Sequence, residues 1–429
     1  MAFTRRSFLA GSAAAAVTMA LGACSSTERA IGPTLTSAEE AARLALDMAR
    51  QADDAGTFGV GGLLIENSTG RVVKQMPNRV MRRLDAAGPN GNVLMTHDPT
   101  AHGERQLISW YYDRRVADRL PEPKDMTLVT TLDPCCMCAG SILSSGFNVG
   151  VVAYDTYAGI NYARDFRFDD LPPSMRDKAR STFGYYEIAG QRPYIGSPTV
   201  AYARTAVADT TAAECSRVFA KSAEEVRTES SGSGQPPAKL QDPATSPIGV
   251  AVRQAFQSEF PEAFSLKLAN YRRPDARLHS MLTALRDATS GARNAVAYID
   301  PFGNLLLASP DTFTVSPIAT AFMNVTQVYA RIRFNLMNDT ATFNAAQSTL
   351  TSPNYGTFVF LSEPDTTVPQ TMADLGAFGS TMEGPIPVPE PSNFQYFEPV
   401  PSLPTLAEVV SRMPPLYVER VGIDPQKVS

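Results

Sequence analysis

A disulfide framework has little to draw on in this chain. Its five cysteines are Cys24, Cys135, Cys136, Cys138 and Cys215, three of them within one short run. Small folds stapled by several bridges are thereby excluded. An excess of positive charge is missing as well. The 38 Lys and Arg stand against 43 Asp and Glu, a net charge of −5, which argues against a broad electrostatic grip on a polyanion. The arginines that do cluster, Arg79, Arg82 and Arg83, read as a solvated loop. Beyond Leu21 no stretch approaches the ~18 apolar residues needed to span a bilayer. An apolar content of 44% is ample for packed cores, and 429 residues exceed one ordinary domain, so two are expected.

The N-terminus reads as an address. Thr4-Arg5-Arg6-Ser7-Phe8-Leu9 resembles a twin-arginine export motif, and an Ala-rich apolar stretch follows to Leu21. Leu21-Gly22-Ala23-Cys24 resembles a lipoprotein processing box with Cys24 as the lipidated residue. Residues 1–24 are therefore expected to be a signal peptide and 25–37 a polar tether. The expected location is extracytoplasmic or periplasmic, anchored to a membrane by lipid.

Past the tether, Ser37 or Thr36 can cap a helix from Ala38 to about Ala52. A strand is predicted over Phe58–Glu66, a turn at Asn67–Gly70 and a return strand over Arg71–Asn78. A polar excursion fills 79–98, where a histidine such as His97 is expected to face solvent. Helical pattern returns over Ala101–Arg115, then a strand over Leu128–Leu132, a helix over Cys135–Ser145 and a strand over Asn148–Tyr154. This order predicts a three-layer α/β/α sandwich over 38–190. A connector covers 191–277, with a Ser/Gly/Pro-rich flexible linker at 226–248.

Two motifs carry the chemistry. His102-Gly103-Glu104 is H-x-E, and Pro134-Cys135-Cys136-Met137-Cys138 is P-C-x-x-C. One His and two Cys supply three protein ligands to a tetrahedral zinc ion and leave the fourth position for water. Glu104 stands close enough to shuttle protons without occupying the metal. Both motifs fall at predicted helix N-termini, where the macrodipole favours thiolate. Cys215 reads as a buried helix residue.

The C-terminal half repeats the N-terminal half. Asn294–Asn304 mirrors the first strand and its turn, Ser316–Phe322 aligns with Asp98–Glu104, and Thr357–Pro364 aligns with Thr127–Pro134. The match resumes where Leu403–Gly422 tracks Leu171–Gly190. In this alignment Thr320 answers His102, Phe322 answers Glu104, Asp365 answers Cys135 and Val368 answers Cys138. Residues 278–429 are thus expected to be a degenerate copy without zinc ligands, giving one chain the pairing that a homodimer makes between two. Further homo-oligomerisation remains open.

These residues resemble the cytidine deaminase superfamily, most closely the branch of tRNA adenosine, guanine and cytosine deaminases. Asp98-Pro99-Thr100-Ala101-His102-Gly103-Glu104 is similar to that branch's D-P-T-A-H-A-E, with Gly103 where Ala is usual. Pro134–Gly140 is similar to P-C-x-M-C-A-G, Asn78-Arg79 to its N-R pair, and Asp155 with Ala158-Gly159 to D-P-x-A-G. The resemblance implies Zn²⁺ on His102, Cys135 and Cys138, Glu104 as proton shuttle, and Asn78 and Gly103 at the substrate. Phe58 is a further candidate wall of the pocket. Residues 79–98 are longer than in relatives and leave the substrate open. The expected activity is hydrolytic deamination of a small nucleobase, nucleoside or related amino-heterocycle, with nucleic acid disfavoured by charge. The rivals are a secreted deaminase of polynucleotides and a non-catalytic, zinc-stabilised binding protein.

Overall fold

The computed structural model describes residues 32–85, 93–191, 202, 204–229, 235–381, 391–421 and 425–428. The export motif, Cys24 and the start of the tether lie outside the described residues. The rest of the tether is not free. Leu35 is buried, Leu35 N–H donates to Gly70 O (2.8 Å), and Val72 N–H donates to Pro33 O (2.9 Å). Residues 32–35 thus run along the first hairpin, because Leu35 has an apolar surface to cover there.

The first half begins with α1 (Ala38–Asp54), capped by the Ser37 hydroxyl, which accepts the Glu40 N–H. Strands β1 (Gly61–Glu66) and β2 (Arg71–Pro77) form a hairpin, followed by the short strands β3 (Met81–Arg83) and β4 (Leu94–Thr96). Next come α2 (Gly103–Arg114), β5 (Met126–Leu132), α3 (Cys136–Ser145), β6 (Asn148–Ala153), α4 (Pro173–Thr182) and β7 (Phe183–Tyr185). A small parallel pair, β8 (Glu187–Ile188) with β9 (Ala206–Val207), precedes α5 (Asp209–Glu229). The sheet order is β2-β1-β5-β6-β7, antiparallel up to β5 and parallel from there on. Its two faces are covered separately. The alanine stripe of α1 packs with α5 on Leu63, Ile65 and Val129, whereas α2 and α3 cover Leu64, Leu128 and Val151. Alternation along a strand sends neighbouring residues to opposite faces, and the result is a three-layer α/β/α sandwich.

The second half repeats this plan. It comprises α6 (Val250–Glu259), α7 (Ala276–Ala288), β10 (Ala295–Ile299), β11 (Leu305–Pro310), α8 (Ala321–Asn338) and α9 (Phe343–Thr349). There follow β12 (Thr357–Ser362), α10 (Pro369–Thr381), β13 (Phe394–Glu398), α11 (Leu406–Ser411), α12 (Pro415–Val421) and β14 (Gln426–Lys427). The order β11-β10-β12-β13-β14 reproduces the first sheet, with the same antiparallel and parallel neighbours. Even the irregularities coincide. The β1–β2 register shifts between Leu64 and Ile65, the β10–β11 register between Tyr298 and Ile299. Ile65 faces Thr127 as Ile299 faces Thr357. The fold is therefore a duplicated sandwich.

The halves meet through α3 and α10. A Cβ on Gly140 would lie 2.6 Å from Ala373 N, and one on Gly376 would lie 2.3 Å from Met137 N. Each glycine admits the backbone of the opposite helix, so the contact is reciprocal about a pseudo-two-fold axis. This pairing makes Gly376 the counterpart of Gly140, Asp374 of Cys138 and Thr371 of Cys135. The expected equivalences of Asp365 and Val368 are corrected accordingly, because the loop after β12 is longer than the loop after β5. Thr320 does take the place of His102, each being the N-cap of its helix. The Thr320 hydroxyl donates to Asp374 Oδ1 (2.6 Å), leaving a buried hydroxyl–carboxyl pair where the first half has imidazole and thiols.

Three further expectations are corrected. Tyr417–Val421 is helical rather than a counterpart of β7, and the fifth strand of the second half is β14. The stretch 226–248 is not a free linker as far as it is described. α5 continues to Glu229, Gln241 N–H donates to Ser348 O (2.8 Å), and Asp242 pairs with Lys267 and accepts from Asn304 Nδ2 (2.8 Å). The excursion 79–98 contains the β3–β4 hairpin. Val80, Met81, Leu84, Leu94 and Met95 are buried there, while residues 86–92 lie outside the described ones.

A titration is built into the β10–β11 turn. Asp300 accepts the N–H groups of Phe302 (2.9 Å) and Asn304 (2.8 Å), yet its burial pushes the carboxyl up to about 7. An unfolded aspartate titrates near ~3.9. Between those values the folded chain holds a proton that the unfolded chain releases. This contribution to stability is full below pH ~4 and fades as pH rises toward ~7. The metal-free protein should therefore melt higher at about pH 5 than at about pH 7.5, with a smaller difference in Asp300→Asn. An equal pH slope in the two proteins, read by thermal melting, would refute the assignment.

Candidate metal centre and active site

The two chemical motifs converge because α2 and α3 both start at the end of the first sheet where β5 finishes and β1 begins. His102 is the N-cap residue of α2 and Cys135 that of α3, both in extended backbone conformation. Cys138 stands in the first turn of α3, as the sequence spacing predicts. The ligand-capable atoms of His102, Cys135 and Cys138 all lie within 4.8 Å of one another. His102 Nδ1 and Cys135 Sγ are 3.6 Å apart. Tetrahedral zinc with typical Zn–N and Zn–S bonds separates such a pair by about 3.5 Å, so the donor set fits that ion.

The electrostatics suit a cation. Cys135 is pulled well below its usual thiol range by the Cys138 side chain that hydrogen-bonds to it, with His102 adding to the effect against the cost of burial. Burial pushes Cys138 the other way. Burial also disfavours a charged His102, but the Cys135 sulfur outweighs it and raises the imidazole. Two sulfurs and an imidazole ring thus gather at two helix N-termini, where backbone N–H groups without intrahelical partners supply partial positive charge.

Glu104 lies one helical step inside α2 and is 3% exposed. Its Oε1 accepts the Thr130 hydroxyl (3.0 Å), and its Oε2 faces the Cys138 thiol (3.6 Å). Burial, followed by the nearby Cys135 charge, raises its carboxyl above the ordinary range. Asn78 is also buried. Its Oδ1 accepts from Thr57 Oγ1 (2.8 Å) and Val80 N–H (2.9 Å), which fixes the amide and turns Nδ2 away from those donors. Gly103 serves packing. A Cβ there would stand 3.2 Å from Met76 O and 3.6 Å from Gly62 N, so its small size seats the first turn of α2 on the β1–β2 edge. Phe58 is half-buried against the Val80, Met81, Leu94 and Val226 cluster, where it props the hairpin that follows Asn78.

Several residues of the site carried no signal in the sequence. Thr130 is one of them. Asp133 is another: its Oδ2 accepts the Asn161 N–H (2.7 Å), its Oδ1 accepts the Tyr185 hydroxyl (2.6 Å), and burial pushes it up to about 8. It ties the end of β5 to the loop in which Asp155 caps the N–H groups of Tyr157 (2.9 Å) and Ala158 (3.0 Å). That loop pairs with Cys135 through an antiparallel bridge at Gly159, and Ile160 N–H donates to Pro134 O (2.8 Å). Asp155, Ala158 and Gly159 therefore brace a metal-ligand candidate. His97 is half-buried rather than solvent-facing. It meets the Phe334 ring edge-on (4.8 Å), because α8 of the second half covers the hairpin, and burial with Arg82 lowers its imidazole. Arg79, Arg82 and Arg83 are exposed as expected, with Arg82 over Phe334 and Arg83 paired to Glu229.

A half-buried His, two Cys and a buried Glu at paired helix N-termini of an α/β/α sandwich define a deaminase-type metal centre. Residues 35–154 match the family model for the cytidine and deoxycytidylate deaminase zinc-binding region. A tRNA-specific adenosine deaminase of Haemophilus influenzae is 30% identical over 135 residues, spanning 31% of this chain and 67% of that protein. Among solved structures, one from a study of tRNA:A34 deaminases acting at the wobble position is 27% identical, covering 28% of this chain and 81% of its own, with a TM-score of 0.21. A guanine deaminase from Nitrosomonas europaea is 17% identical, covering 45% and 90%, with a TM-score of 0.28. The chain belongs to the cytidine deaminase superfamily.

Proposed function

We propose that this protein is a zinc-dependent hydrolase that deaminates a small nucleobase, nucleoside or related amino-heterocycle outside the cytoplasm, tethered by lipid at Cys24. The observation that carries the reading is Glu104. A purely structural zinc site needs no general base, yet here a buried carboxyl stands beside the three ligand candidates and is steadied by Thr130. Zinc bound to His102, Cys135 and Cys138 would supply a Lewis acid able to make water nucleophilic near neutral pH.

The chain's own groups divide the remaining work. Glu104, raised by burial, takes one proton from water at a carboxylate oxygen and passes it to the ring nitrogen, then takes the second proton from the added hydroxyl and passes it to the leaving amine. The C–N bond to the exocyclic amine breaks, a C–O bond to the water oxygen forms, and ammonia leaves. Asn78 presents Nδ2 to an acceptor on the substrate ring, because its Oδ1 is held by Thr57 and Val80. The net charge of −5 and the amino-terminal export motif favour a small substrate over tRNA.

The test is ammonia release by zinc-loaded protein from cytosine, guanine, adenine and their nucleosides, with single-stranded oligonucleotides alongside. Release from a free base or nucleoside is the expected result. Release confined to oligonucleotides would move the assignment to the polynucleotide class, and none from any substrate would sink it. Treatment with a chelator should abolish turnover and lower the melting temperature, because metal binding contributes to folding free energy.

A further inference from the structure

The second half has lost its own ligands, yet it reaches the metal centre of the first. α12 lies against the turn that carries Cys135 and Cys138. The Tyr417 side chain is fully buried, and a Cβ on Gly379 would lie 2.6 Å from its Cδ1, so α10 leaves a flat seat for the ring. From that seat the Tyr417 hydroxyl oxygen accepts the backbone N–H of Cys136 (3.2 Å). This N–H is one of the donors that the first turn of a helix leaves without an intrahelical partner, and it sits directly after Cys135.

The same short helix grips the other side of Cys135. Leu416 N–H donates to Tyr157 O (2.9 Å), and the Tyr157 hydroxyl donates to Glu419 Oε2 (2.7 Å). Tyr157 belongs to the loop that pairs with Cys135 at Gly159. Cys135 is therefore held between two segments, α3 and the 155–160 loop, and each is bonded to α12. Sequence comparison of the halves set Tyr417 against Tyr185, a residue of β7. The fold instead turns it toward the opposite half.

We propose that α12 of the degenerate half is a clasp on the metal centre, with Tyr417 as a positioning residue that fixes Cys135 for zinc. The inference rests on the zinc reading above. Outer groups that orient a metal ligand typically govern affinity by about 10–100-fold. The clasp gives the second half a role that does not require a site of its own.

The experiment follows zinc release from the full-length, zinc-loaded protein into excess chromophoric chelator. Tyr417→Phe should release zinc about tenfold faster than the wild type, or more. Tyr329→Phe is the control, since it removes an equally buried hydroxyl that donates to Thr351 O (2.7 Å) within the second half, and it should release zinc at the wild-type rate. Equal rates for Tyr417→Phe and wild type overturn the clasp. So does an equal acceleration in Tyr329→Phe, which would mean general loosening. If Tyr417→Phe does not fold, the exposed change Glu419→Ala cuts the same clasp and should speed release by roughly threefold, whereas a wild-type rate overturns the proposal. A wild-type chain that takes up no zinc would overturn the zinc reading itself, a result distinct from zinc held equally by all variants.

Discussion

Glu104→Gln is expected to lower kcat for ammonia release by about 10²–10⁴-fold, the usual contribution of a positioned general acid–base group. The substitution is close to isosteric, and one amide oxygen can still accept the Thr130 hydroxyl that now bonds Oε1 at 3.0 Å. Packing in this buried place is therefore kept, and His102, Cys135 and Cys138 are untouched. Zinc content should stay near one per chain and KM should move far less than kcat, because an amide cannot relay protons but occupies the same space. The raised carboxyl of the wild type strengthens the expectation, since burial and the Cys135 charge bring its proton affinity closer to working pH. Metal analysis beside steady-state kinetics checks it. A variant that retains more than about a tenth of wild-type kcat would remove Glu104 from the proton path.

The local half of this site was legible in the sequence because its spacing is local. H-x-E and P-C-x-x-C each sit at a helix start, and helix geometry fixes where such residues go. The Ser37 cap, the Asn67–Gly70 turn and the apolar strands could be read for the same reason. The hairpin at 81–96 was hidden by the polar and Gly/Pro residues between its strands. Its apolar positions, Val80, Met81, Leu94 and Met95, are too few for a periodic signal. His97 was misread because the surface that covers it, Phe334, comes from the other half of the chain. Tyr417 and Asp133 act through partners that no spacing rule connects to them. The repeat could be seen strand by strand, where the hydrophobic pattern is strong. It failed after β12, where a longer loop shifts α10 and moves Asp374, not Val368, into the place of Cys138.

The duplication also makes a single added methyl group costly to stability where α3 meets α10. Gly376→Ala introduces one methyl group into α10, and helix propensity alone would make it stabilising by roughly 1 kcal/mol. Packing opposes this. The new Cβ would stand 2.3 Å from Met137 N and 2.8 Å from Cys136 C, both backbone atoms of α3 that cannot rotate aside. Overfilling a close-packed contact typically costs about 1–3 kcal/mol, and backbone against backbone belongs at the upper end, so a net loss of about 1–2 kcal/mol is expected. The displaced atoms flank the turn that holds Cys135 and Cys138, so zinc affinity should fall with stability. Gly140→Ala strikes Ala373 N and Pro369 O at 2.6 Å across the same interface and should behave alike. Once either methyl has pushed the helices apart, the other finds room already made. The double variant should thus lose less than the sum of the singles, as coupled neighbours do. Urea unfolding of the two singles and the double measures all three quantities. A neutral or stabilised Gly376→Ala would mean that propensity outweighs the contact, and strict additivity would mean that the two glycines do not share one interface.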